Sequence, residues 1–151
     1  MADLNLSIPT GEVSLTASTA RTVLSITAPA NQRLKIFGFE IFGKGVSTTD
    51  TPVKCELYRV TTDGGTATTI TPAPNDDDEA ETPQGVYKGS YTVEPTTLGA
   101  LLRTWEVHPQ TGIIYMFPVG QEIRVKGGKE VALRLTSGQN ETFAVNAIVE
   151  E

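Results

Sequence analysis

The feature that most constrains the fold is a succession of short segments in which apolar and polar residues alternate, separated by turn chemistry. "EVSLTA" (12–17), "RTVLSITA" (21–28), "PVKCELYRV" (52–60), "VYKGSYTV" (86–93), "QEIRV" (121–125), "KEVALRLTS" (129–137) and "TFAVNAIVE" (142–150) carry this signature. "QRLKIFGFEIF" (32–42), "LGALLRTWEVHP" (98–109) and "GIIYMFP" (112–118) complete a set of about ten strands. A period of two places one face of each segment against a core, and no window sustains a helical period over ten or more residues. The pattern predicts an all-β antiparallel sandwich or barrel.

Local details refine this. In 32–42 the apolar set runs Leu34, Ile36, then Phe37, Phe39, Ile41, and the phase change around Ile36–Phe37–Gly38 predicts a bulge or burial on both faces. "LGALL" (98–102) allows a helical turn before its strand, and "KGGK" (126–129) reads as a tight hairpin. The stretch 61–85 is polar and Thr-rich, with little apolar content besides Ile70, and reads as one long loop.

At 151 residues the chain is long enough for one domain with its own core. Residues 1–11 read as an extended N-terminal arm and 12–151 as a single β-sandwich domain. In the arm, Leu4, Leu6 and Ile8 alternate with polar residues before Pro9 and Gly11. Two readings stand side by side. Leu4, Asn5, Leu6, Ile8 and Pro9 form a contact arm that adds a strand to a neighbouring subunit, or they are an edge strand of their own domain.

The charge excludes some functions. The net charge is −6, and without the five acids of "NDDDEAE" (Asp76, Asp77, Asp78, Glu79, Glu81) it would be −1. Neither value provides the basic stripe that nucleic acids require. No segment approaches a membrane span, and the N-terminus lacks the basic start and apolar run of a signal peptide. A soluble protein made in a cytoplasm is expected.

Catalytic constellations are sparse. One His and one Cys do not compose an ordinary zinc site, and a cupin would supply several histidines. Cys55 alternates with Lys54 and Glu56 and is expected as a buried structural thiol. The contiguous acids at 76–81 lack the spacing of a calcium loop, so a solvated loop is the better reading. "GKG" (43–45) and "GGK" (127–129) lack the strand-loop-helix context of a phosphate loop. His108 precedes Pro109 and reads as a turn residue. Glu94, Glu106 and Glu122 show no spacing specific to a carboxylate pair. No enzyme, cofactor or metal is expected.

"WEVHPQTG" (105–112) holds the only Trp and the only His. As a strand it turns Trp105 and Val107 to one face, and Thr104, Glu106 and His108 to the other. Trp105 is then core, or a sugar-stacking platform with Tyr87, Tyr91 or Tyr115. The platform reading makes the chain a carbohydrate-binding or host-attachment module.

"WEVHPQTG", "FPVGQEIRVKGG", the terminal "VNAIVEE", "ARTVLSITAPANQRLKI" and "DTPVKCEL" together resemble small structural proteins of tailed bacteriophages, over about residues 12–151. The nearest type is the head decoration, or cement, protein. The resemblance implies a jelly-roll-like sandwich, a homotrimer on the capsid surface, the major capsid protein as partner, and no active site.

Overall fold

The computed structural model describes residues 4–45, 51–77 and 81–151. Two antiparallel sheets pack face to face. The first contains β1 (Asn5–Leu15), β3 (Leu34–Gly43), β6 (Ala73–Pro74), β9 (Ile113–Met116), β10 (Ile123–Val125) and β12 (Glu141–Glu150). Its order is β10-β3-β12-β1-β6, with β9 also on β3. The second contains β2 (Ala20–Thr27), β4 (Val53–Thr62), β5 (Thr66–Thr69), β7 (Val86–Val93), β8 (Thr97–Val107) and β11 (Glu130–Thr136), in the order β5-β7-β2-β11-β4-β8. The all-β sandwich predicted from the alternation is what the chain forms.

The core fills the space between the sheets. Leu24, Ile26, Leu57, Val131 and Leu133 face Leu6, Ile8, Ile36, Phe39, Ile41 and Val145. Two strands of the first sheet keep their apolar residues inward only by gaining one residue. In β1 the pairing with β12 shifts between Pro9 and Glu12, so both Ile8 and Val13 point inward although they are an odd number of positions apart. Gly11, at φ 67°, supplies the left-handed step, and Thr10 Oγ1 accepts the amide of Val145 at 3.1 Å where the ladder opens. In β3 the shift passes Phe37, carrying the inward set from Ile36 to Phe39. This is the bulge that the sequence phase called for, and the Phe37 carbonyl accepts the amide of Phe117 at 2.7 Å.

Three expectations require correction. First, 4–11 is not a separate arm, and 1–3 lie outside the described residues: β1 runs through the expected boundary at 11, and residues 5–9 pair with 146–150 of β12. Leu4, Leu6 and Ile8 are buried in the chain's own core, while Asn5 and Pro9 are exposed. Second, 61–85 is not one loop. It holds β5, which pairs with β7, and β6, which pairs with β1 at Leu6 and Ser7. Third, 98–102 is extended rather than helical. Three register shifts against β4 absorb its irregularity. The turn at 126–129 is tight, with the Lys129 amide donating to the Lys126 carbonyl at 2.9 Å. It is no hairpin, however, because β10 and β11 belong to different sheets.

The two lateral openings of the sandwich close differently. On the β1 and β7 side, β5 extends the second sheet at β7 while β6 extends the first sheet at β1. On the opposite side, β8 and β9 face each other across an aromatic cluster.

Candidate interaction surface

The aromatic cluster accounts for "WEVHPQTG". Trp105 on β8 meets Tyr115 on β9 at 5.2 Å between ring centroids, and Phe39 on β3 at 6.2 Å. Phe117 joins through Tyr115 at 5.3 Å, with the Arg103 guanidinium 5.9 Å from the Phe117 centroid. All these ring pairs are edge-on, the packing that aromatic quadrupoles favour. Trp105 is half-buried against the core and tilted 62° to Tyr115, so the two rings offer no common flat shelf. The other candidate platform residues, Tyr87 and Tyr91, are buried. His108 is a turn residue: its carbonyl accepts the amides of Thr111 at 3.1 Å and Gly112 at 3.0 Å, and Nδ1 accepts that of Gln110 at 3.3 Å. The stretch is a strand running into a turn, with its Trp closing the sandwich.

Outside this seam the first sheet presents apolar residues to solvent. Ile114 is 61% exposed, Met116 47% and Phe42 41%. The register explains why they share one face. Ile114 pairs with Glu40 and Met116 with Gly38, on the opposite side of the sheet from the inward Tyr115–Phe39 and Ile113–Ile41 pairs. Phe42 follows two positions after Glu40 on the same face. Two glycines make room for them. A Cβ on Gly38 would lie 2.6 Å from Met116 Sδ and 2.9 Å from its Cα, so Met116 lies directly over that backbone. Phe42 covers Gly112 in the same way. The result is an apolar stripe on an outer sheet face, beside the polar Glu40 and Asn146, which hydrogen-bond at 3.0 Å. Contiguous apolar surface of this kind marks interaction sites. The sequence did not single these residues out, because "GIIYMFP" is a continuous apolar run that hides its period of two.

The second sheet carries a polar network on its outer face, alongside the exposed Leu101 of β8. The Tyr91 hydroxyl lies 2.8 Å from Ser25 Oγ, 3.2 Å from Asp63 Oδ1 and 3.4 Å from Glu130 Oε1. Lys88 pairs with Asp63 at 2.5 Å. Burial pushes both the Tyr91 hydroxyl and the Glu130 carboxyl upward from their ordinary values. Glu94 accepts the amide of Thr22 at 2.9 Å and its hydroxyl at 2.5 Å. Further along, Glu56 accepts from Lys54 at 2.7 Å, Tyr58 at 3.1 Å and Arg134 at 3.2 Å. Burial works to raise the Glu56 carboxyl, yet these three donors together hold it below the ordinary carboxylate range.

The remaining candidates are dispersed. Cys55 is fully buried and faces the core, and burial pushes its thiol up to about 12. Glu122 accepts the amide of Gly120 at 2.9 Å in the loop before β10, and Glu106 is exposed on β8. Asp76, Asp77 and Glu81 are exposed, and Asp78 and Glu79 lie outside the described residues. No group of three or more His, Cys, Asp or Glu is placed to hold a metal among the described residues. No helix among them is long and apolar enough to cross a membrane. Compared with protein-family models, curated proteins and solved structures, the chain matches none.

Proposed function

We propose that this chain is a non-enzymatic decoration protein of a tailed-bacteriophage head. It attaches to the major capsid protein through the outer face of its first sheet. The observation that carries the reading is the Phe42, Ile114 and Met116 stripe, an apolar surface held on rigid strands rather than in a cleft. The strand order supports it. With β5–β7 set aside as an insertion and β9 taken together with β10, the strands nest: β1 with β12, β2 with β11, β3 with β10 and β4 with β8. Nested antiparallel pairs divided between two sheets form a jelly roll, an architecture common in viral capsids. The resemblance of 12–151 to phage virion proteins points the same way.

Such a protein works by avidity. Each apolar contact is modest, and several copies linked in one oligomer multiply it without any new chemistry. Leu6 and Ile8 occupy the chain's own core, so they are not free to clasp a neighbouring subunit. A homotrimer remains the proposed state. Light scattering on a sizing column tests it: a mass near 48.6 kDa, three times the 16.2 kDa chain, is expected. A single 16.2 kDa species at all concentrations would overturn the trimer.

A further inference from the structure

Arg59, Arg124, Lys126 and Lys129 line one cavity of about 370 Å³ at the end of the sandwich where β4, β10 and β11 meet. They are four of only twelve Lys and Arg in a chain of net charge −6. Their meeting in one place runs against the overall charge and calls for a reason.

The Arg59 guanidinium and the backbone that carries the two lysines are held in position. Arg59 reaches from β4 across the gap between the sheets, where its Nη2 donates to the carbonyl of Arg124 on β10 at 3.0 Å. Lys126 and Lys129 are the first and last residues of the turn closed by their own backbone bond of 2.9 Å. That turn is pressed onto the loop after β2. A Cβ on Gly127 would lie 2.6 Å from the Ala30 carbonyl oxygen and 3.0 Å from that of Gln32, and the Gly128 amide donates to Ala28 at 3.1 Å. Among the described residues, none of the four cations is in an ion pair. Glu130, the one acid on the cavity wall, is buried and turned toward the Tyr91 hydroxyl.

Four cations around one cavity repel one another, with Glu122 acting on Arg124 from outside the cavity wall, and an anion in their midst turns that repulsion into charge-assisted hydrogen bonds. Two guanidinium forks and two ammonium groups suit tetrahedral oxyanions, and the cavity exceeds what a single phosphate fills. We propose that this cavity binds a compact polyphosphate group, either free or carried by a nucleotide. The inference is independent of capsid attachment.

Isothermal titration with pyrophosphate, tripolyphosphate and a nucleoside triphosphate tests it. The wild-type protein is expected to bind tripolyphosphate saturably, with affinity falling as salt rises. Lys126→Gln/Lys129→Gln, and separately Arg124→Gln, should weaken binding at least tenfold while the thermal transition stays in place. Lys44→Gln, at the other end of the molecule, should bind like wild type. A nucleoside triphosphate binding more tightly than tripolyphosphate identifies a nucleotide as the source, and equal affinity identifies the polyphosphate alone. Absence of saturable binding by all three, or unchanged affinity in both variants, overturns the proposal. So does binding of a glutamate-rich peptide where the phosphates do not bind.

Discussion

Trp105 and Tyr115 stand edge-on at 5.2 Å across the seam between β8 and β9, joining strands that belong to different sheets. Among the described residues no strand ladder joins β8 to β9, so the ring contacts contribute to holding these sheet edges together. Trp105→Leu and Tyr115→Leu are each expected to destabilise the fold, and the double variant to lose less than the sum. The coupling should be about 0.5–1.5 kcal/mol. Denaturant unfolding of the four proteins measures it.

Removing residues 1–10 should abolish folding rather than merely free an arm. The deletion takes Leu4, Leu6 and Ile8 from the core and strips β12 of half its ladder with β1. Leu6→Ala alone should cost about 2–5 kcal/mol, the range for a buried leucine truncated in a tight core. Far-UV circular dichroism and a thermal melt distinguish an unfolded chain from a folded, dissociated one.

Cys55 should be inert in the native protein. With its thiol pushed up to about 12, the thiolate is roughly one part in 10⁴ at pH 8, and the side chain faces the core. A thiol reagent is expected to react only at the rate of unfolding, and fully in denaturant. Rapid native labelling would contradict the burial.

Glu56 gives the fold an acid-sensitive element. Its carboxyl is lowered in the folded state, so its contribution is complete above the unfolded carboxyl value, about 4.3, and disappears as pH falls through the lower folded value. Glu56→Ala removes the acceptor for Lys54, Tyr58 and Arg134 and should cost about 1.5–3 kcal/mol at neutral pH. The gap between wild type and variant should close on acidification, as read from urea midpoints across pH.

Period two was legible wherever a strand has one wet and one buried face. That is why Val53, Cys55 and Leu57 were placed correctly, and why the phase slip at Phe37 showed. It failed where a strand lacks that contrast. β5 is "TATT", exposed along almost its whole length, and β6 is two residues long, so neither carries an apolar signal. In sequence Pro9 and Gly11 look like the end of a strand, because the same residues that stop a strand also build a bulge within one. The Ile114 and Met116 stripe was hidden in an apolar run. The cations at 59, 124, 126 and 129 are distant enough in sequence that only sheet packing reveals their meeting. Turn chemistry at 126–129 specified a reversal but not that it would pass from one sheet to the other.

The central claim is attachment through the outer face of the first sheet. The most direct test of this proposal is co-sedimentation with tailed-bacteriophage heads assembled without a decoration protein. Saturable binding by the wild-type protein is expected, lost in a folded Ile114→Glu/Met116→Lys variant. Wild-type protein that stays in the supernatant at saturating concentration, or a variant that binds as well as wild type, would contradict the account.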